Sequence, residues 1–299
     1  MRSRLLFLAA LILPATARAW YMESSASHTR GPDDYDATSG AVELGQDEGF
    51  LMRPGFSTYH SLGTDPSHTV SLRLGWFNDS LSLGCDGSVT PPANDYKSHS
   101  LGCDGTYSIN LDDRGTDDEG NASGPAPLLS RVDLGGSFLY TDHKETAEQI
   151  IRFRKRVVGV NTIIRDTGQY DMTGSLGTKV LDFELGGDIT FSKYDKHIIT
   201  DEIPALAAAV TRGANPAVYG FQDWKGKARL SWTRFPVLQP FAEWSYTKYK
   251  MVAQYPQKVY TAGLTTVLGP VTVKGSWDLN LRGGGDKRSY FTLGATWRY

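Results

Sequence analysis

The last ten residues, Tyr290-Phe291-Thr292-Leu293-Gly294-Ala295-Thr296-Trp297-Arg298-Tyr299, carry the pattern that decides the fold. Phe291, Leu293, Ala295, Trp297 and Tyr299 share one face of an extended strand. Tyr290, Thr292, Gly294, Thr296 and Arg298 share the other, because successive side chains in a strand point to opposite faces. One side is oily and the other wet, over about the 9–11 residues that a β-strand needs to cross a bilayer.

The pattern recurs upstream. In 270–282, Val271, Val273, Gly275, Trp277, Leu279 and Leu281 oppose Thr272, Lys274, Ser276, Asp278, Asn280 and Arg282, and Gly283-Gly284-Gly285-Asp286 turns the chain into the last strand. Residues 129–140, 181–194, 224–234 and 238–250 alternate in the same way. Residues 66–76, 79–90, 95–110, 168–178 and 255–267 do so with more interruptions. Together with an arginine-rich segment near residue 150, these make twelve strands from residue 66 onward. Residues 20–29 and 48–60 add two more, for about fourteen. The alternative is twelve strands with an N-terminal periplasmic or lumenal extension.

A strand of this kind that ends on the chain's final aromatic residue resembles the C-terminal strand of bacterial outer-membrane β-barrels. In that class the insertion machinery reads a polar residue, a glycine two later, then two aromatic or apolar residues at alternate positions. Thr292, Gly294, Trp297 and Tyr299 stand at those places. The resemblance implies an all-β fold, a transmembrane antiparallel β-barrel in the outer membrane of a Gram-negative bacterium. Its partners would be outer-membrane lipid and the barrel-insertion machinery. It is a resemblance to a class, porin-like in character, and brings no substrate or oligomeric state with it. In such barrels the first strand pairs with the last, which removes the sheet edges. With both termini in the periplasm, the turns at 268–270, 235–237 and 90–94 are expected on the periplasmic side. The polar stretches 111–128 and 195–216 are then expected outside.

The N-terminus agrees. Arg2 and Arg4, the apolar run from Leu5 to Pro14 and Ala17-Arg18-Ala19 have the order of a cleaved secretory signal peptide over residues 1–19. The apolar run is shorter than the roughly 20 residues that a membrane helix needs. Residues 20–299 are then one barrel domain. A mean hydropathy of −0.34 does not separate a barrel from a soluble exported protein, since every second barrel residue faces a wet lumen. Without Arg2, Arg4 and Arg18 the chain has 28 basic and 33 acidic residues, a net charge of −5. That balance excludes a nucleic-acid-binding surface of the usual basic kind.

Few segments read as chemistry. Leu83-Gly84-Cys85-Asp86-Gly87 recurs as Leu101-Gly102-Cys103-Asp104-Gly105 on either side of the turn at Pro91-Pro92-Ala93-Asn94. In one hairpin, Cys85 and Cys103 would oppose each other on the lipid face, with Asp86 and Asp104 in the lumen. An oxidising compartment allows a disulfide between them; the alternative is two free thiols acting as small apolar residues. The acidic stretch from Asp112 to Asn121 offers oxygens to calcium, but lacks the EF-hand spacing and reads as readily as a solvated loop. Residues 201–213 read as a short loop helix. His28, His60, His68, His99, His143 and His197 show no catalytic grouping, and adjacent His99 and Ser100 would point to opposite faces. No catalytic residue, metal site or cofactor is expected.

The functional expectation is a channel or porin for small solutes. Arg152, Arg154 and Arg156 alternate with Ile151, Phe153 and Val157. A lipid-facing arginine near the midplane costs about 2–4 kcal/mol in a barrel, so a strand here puts all three in the lumen. The expectation is a ladder with modest anion preference, offset by lumenal carboxylates such as Asp133, Asp171, Glu184 and Asp278. A helix from Glu145 to Val158 competes with this strand. The alternative functions are a structural or adhesive barrel acting through its outer loops, and a barrel hydrolase.

Overall fold

A computed structural model describes residues 20–93, 96–112, 127–153, 156–195, 221–235, 237–250 and 255–299, with backbone alone at 145–153 and 156–165. The expected signal peptide, the acidic stretch after Asp112, the expected helix at 201–213 and Arg154 lie outside the described residues.

Fourteen strands form one closed antiparallel barrel. They are β1 (Trp20–Arg30), β2 (Asp36–Gln46), β3 (Gly49–His60), β4 (Ser67–Phe77), β5 (Leu81–Ala93), β6 (Tyr96–Asn110) and β7 (Leu129–Phe153). Then follow β8 (Arg156–Val180), β9 (Phe183–Tyr194), β10 (Gln222–Trp232), β11 (Leu238–Tyr249), β12 (Gln257–Leu268), β13 (Val271–Arg282) and β14 (Lys287–Arg298). Each pairs with its sequence neighbours, and β14 returns to β1. At this seam Ala26 lies opposite Ala295 and Thr29 opposite Thr292, whose hydroxyls are 2.8 Å apart. The Tyr299 amide donates to the Met22 carbonyl at 2.8 Å, so the chain's last residue helps to close the wall.

The barrel is inverted relative to a water-soluble protein. Tyr96 and Phe241 are the buried hydrophobic side chains among the described residues, and both face the lumen. The large apolar side chains stand on the outside: Phe291 is 62% exposed, Leu293 63%, Met172 64% and Trp297 49%. This much contiguous apolar exterior is stable only against lipid. Aromatic residues border it at two heights. Near the termini, the Trp297 and Tyr299 rings stack at 5.2 Å and those of Phe183 and Trp232 at 6.4 Å. At the other end, Tyr140 packs on Tyr170 at 5.0 Å and Trp224 on Tyr246 at 5.0 Å. Trp232 and Trp224 mark the two levels on β10, eight residues and so about 26 Å of strand apart. At the roughly 35–45° tilt of such strands this is about 20 Å of height, comparable with the roughly 25 Å apolar band between a barrel's aromatic girdles.

The count of fourteen holds, but through two errors that cancel. Asp36–Gln46 is a strand of its own, so the N-terminal third contributes three strands to residue 60 rather than two. The region 129–180 contributes two strands rather than three, because β7 and β8 run for 25 residues each and pair along nearly their whole length. Side positions between these two regions therefore invert. The turn after Ala93 lies at the end opposite the termini, and the connection from Asn110 to Leu129 lies at the terminal end, contrary to the expected topology.

The same finding moves the arginine segment. β6 pairs with β7 up to Tyr96 opposite Glu145, and β9 pairs with β8 up to Tyr194 opposite Gln169. Beyond those points β7 and β8 pair only with each other among the described residues. Phe153 lies thirteen residues past the girdle position Tyr140, about 43 Å along the strand. Arg152 pairs with Val157, and Arg156 with Phe153, at the tip of this ribbon. Arg152 and Arg156 therefore stand at the ribbon tip, beyond the stretch where β6 and β9 flank it, and Arg154 lies outside the described residues. Residues 157–164 form strand rather than helix.

Candidate functional site in the lumenal wall

Strand alternation makes the inner wall. Cross-strand hydroxyl pairs recur around it: Ser27 with Ser39 at 2.8 Å, Thr69 with Thr90 at 2.8 Å, Ser88 with Ser100 at 2.7 Å and Thr173 with Thr190 at 2.8 Å. Hydroxyls both donate and accept, so they satisfy one another and still offer lone pairs to a passing solute.

Charges are set into this hydroxyl wall in three groups. On β4–β6, Arg73 donates to both carboxylate oxygens of Asp104, at 2.6 and 2.8 Å, and lies 3.5 Å from Asp86. The guanidinium lies on Gly84, where a Cβ would collide with it. On β10–β13, Arg229 and Lys274 stand 4.7 and 4.8 Å from the centre of the Phe241 ring, and that ring lies flat on Gly263. Lys227 pairs with Glu243 at 3.1 Å. At the β1–β3 wall, Arg53 donates to Ser25 at 3.4 Å and comes within 3.9 Å of Glu43, which accepts the Tyr21 hydroxyl at 2.6 Å.

A fourth group is a buried polar network toward the end of the barrel opposite the termini. The His143 ring meets the Tyr96 hydroxyl at 2.7 Å and the Gln169 side-chain oxygen at 3.1 Å. Gln169 donates to both Asp171 oxygens at 2.9 Å, and Asp171 accepts the Ser192 hydroxyl at 2.5 Å. Both ring nitrogens of His143 are thereby occupied, and the network ties β6 to β9. Such mutual satisfaction is what lets polar groups stay buried.

Two small cavities open on the lumen. One, of about 350 Å³, lies between Arg53 and Arg73; the other, of about 290 Å³, lies between Arg53 and Lys274. A larger space of about 970 Å³ belongs mainly to the outer wall, where Leu134, Leu176, Leu185, Ile189, Leu230 and Trp244 point outward. Among the described residues, no group of three or more metal-ligating side chains forms.

Several residues singled out in the sequence fall on this wall. Asp133, Asp171, Glu184 and Asp278 face the lumen; Asp133 pairs with Arg131 at 3.0 Å, and Asp278 accepts the Thr261 hydroxyl at 2.5 Å. Cys85 lies directly opposite Cys103 on the outer face, joined by a disulfide. Of the terminal motif, Trp297 and Tyr299 are outside, while Thr292 and Gly294 face in. Sequence alone did not single out Arg53, Arg73, Arg229, Phe241 or Lys274. Each sits at a polar phase of its strand, but their grouping depends on register between strands far apart in sequence.

The closed wall, apolar exterior and polar charged lumen define a transmembrane β-barrel of the outer-membrane type. No family profile and no curated protein matches the sequence. Solved barrels are similar in fold. The NanC porin shares 10% identity over 92% of this chain and 98% of its own, with a TM-score of 0.41. The CymD monoaromatic hydrocarbon channel shares 10% over 95% and 88%, with a TM-score of 0.48. CdiB from Acinetobacter baumannii shares 9% with a TM-score of 0.47; 94% of this chain is covered, but this chain spans only 60% of CdiB. These likenesses extend to architecture and assign no solute.

Proposed function

We propose that the chain is an outer-membrane channel for passive passage of small polar solutes, exported with cleavage after Ala19. One observation carries this reading. The interior is a hydroxylated, charged surface, and each strand touches only its two neighbours. No strand crosses the lumen among the described residues. Eight-stranded barrels are just filled by their own side chains, whereas 16–18 strands leave an aqueous channel; fourteen lies well above the filled limit. Liposomes loaded with polymer and carrying the purified barrel should swell in isotonic arabinose faster than empty liposomes, and more slowly as the sugar grows. No swelling with a correctly folded barrel would reject passage through the lumen.

A second reading, an adhesive or structural barrel, is favoured by one feature. The β7–β8 ribbon rises past the upper aromatic girdle with no third strand against it among the described residues. Removing the ribbon should abolish surface attachment under that reading and leave swelling intact under the first.

A further inference from the structure

Lys274 and Arg53 face one lumenal cavity of about 290 Å³ at the seam where β14 closes on β1. Ser25, Ser27, Ser39, Thr272 and Thr296 present hydroxyls around it, and Gly294 forms part of its floor. Two cations lining one cavity among hydroxyls need an account, because like charges are normally neutralised when brought into one wall.

Neutralisation here is less complete than at two other lumenal cations. Arg73 is held by two carboxylates and Lys227 by Glu243. Lys274 forms no ion pair among the described residues; it rests against the Phe241 ring at 4.8 Å, whose other cationic neighbour is Arg229. A ring face attracts an ammonium without cancelling its charge. Arg53 has Glu43 at 3.9 Å, while the Tyr21 hydroxyl donates to the other oxygen of that carboxylate. Gly294 keeps the alcove open. It lies opposite Lys274, and a Cβ there would stand 3.3 Å from Ser27 Cβ and 3.4 Å from the Ala26 carbonyl oxygen.

We propose that this alcove binds a small oxyanion: the carboxylate, or the phosphate or sulfate group, of a solute in the lumen. The guanidinium supplies a planar fork of donors and the ammonium three more. The hydroxyls complete the shell, as donors to the anion or as partners for neighbouring hydroxyls of the solute. Low-dielectric walls concentrate such a positive potential. The proposal deepens the channel reading, since the lumen is the route to the site, but binding can be measured without conduction.

The test is isothermal titration of the full-length folded barrel in detergent at low salt, with heat-modifiable gel migration confirming the fold of every variant. Sodium gluconate probes a hydroxylated carboxylate, inorganic phosphate a tetrahedral oxyanion, and glucose is the neutral control. Saturable binding of gluconate or phosphate but not glucose is expected, and whichever binds identifies the source. Lys274→Met and Arg53→Gln should each weaken it about tenfold, the worth of one charge-assisted hydrogen bond. Gly294→Ser should weaken it by occupying the alcove, and Lys248→Ala, on the outer face beside Trp224, should leave it unchanged. Absence of saturable binding by both anions, or binding indifferent to Lys274→Met and Arg53→Gln, overturns the proposal. Intact binding in a barrel that does not conduct would instead reject the channel reading and leave the site standing.

Discussion

Arg73 on β4 passes over β5 to bind Asp104 on β6 through both terminal guanidinium nitrogens, at 2.6 and 2.8 Å. The bridge spans a strand because that strand presents Gly84, with no side chain to block it. Sequence repetition explains the arrangement: Leu83-Gly84-Cys85-Asp86-Gly87 lies antiparallel to Leu101-Gly102-Cys103-Asp104-Gly105, centred on the cysteine pair. The repeat thus places a disulfide outside and two carboxylates inside at one level of the wall.

Asp104→Asn should therefore leave the guanidinium with Asp86 alone, at 3.5 Å, and raise the positive charge of the lumen. The pair is about a third exposed, so its stabilisation is modest, about 1 kcal/mol. The expected outcome is a small loss in urea midpoint together with a reversal potential shifted toward anions under a salt gradient. Gly84→Ala should act in the same direction, because its methyl displaces the guanidinium. Unchanged selectivity in both variants would mean that the clamp does not contribute to the field of the pore.

The disulfide should be detectable by mobility. Denatured protein should migrate differently before and after reduction, and Cys85→Ser should remove the difference. The closed loop of 18 residues corresponds to about 3 kcal/mol of stabilisation in the chain-entropy account. Because both sulfurs face outward, Cys85→Ser should lower the urea midpoint while leaving conductance alone. Equal mobility in both conditions would show that the thiols are free.

Sidedness gives a third expectation. An epitope inserted between Phe153 and Arg156 should be stained on intact cells. The same epitope placed between residues 113 and 126 should be stained only after the outer membrane is permeabilised, since that connection joins strand ends on the side of the termini. The opposite staining would invert the barrel.

This orientation shows where the sequence was and was not legible. The strands at 181–194, 224–234, 238–250, 270–282 and 290–299 keep a clean phase, because one face meets lipid and the other water, and the terminal aromatic residues fix their parity. β2 was hidden because its outward face reads Asp36, Thr38, Gly40, Val42, Leu44, with apolar bulk only at its lower end. The ribbon was misread for the converse reason. Thr141 to Glu148 is polar apart from Ala147, as a turn would be, but it is strand beyond the girdle position Tyr140. Alternation lapses there and returns at 151–157, so it did not mark the continuity of β7. The lumenal cations were visible one by one as polar phases. That Lys274 meets Arg53 follows only from closure of β14 on β1, which local pattern does not encode.

The central claim is that solutes cross through the polar lumen, and thiol block of single-channel current tests it most directly. In barrels carrying Cys85→Ser and Cys103→Ser, a further Ser276→Cys faces the lumen, while Leu293→Cys, 63% exposed, faces outward. In planar bilayers a charged methanethiosulfonate reagent should reduce each conductance step of the Ser276→Cys barrel and leave that of Leu293→Cys unchanged. A folded barrel with no conductance steps, or equal block at both positions, would contradict the account.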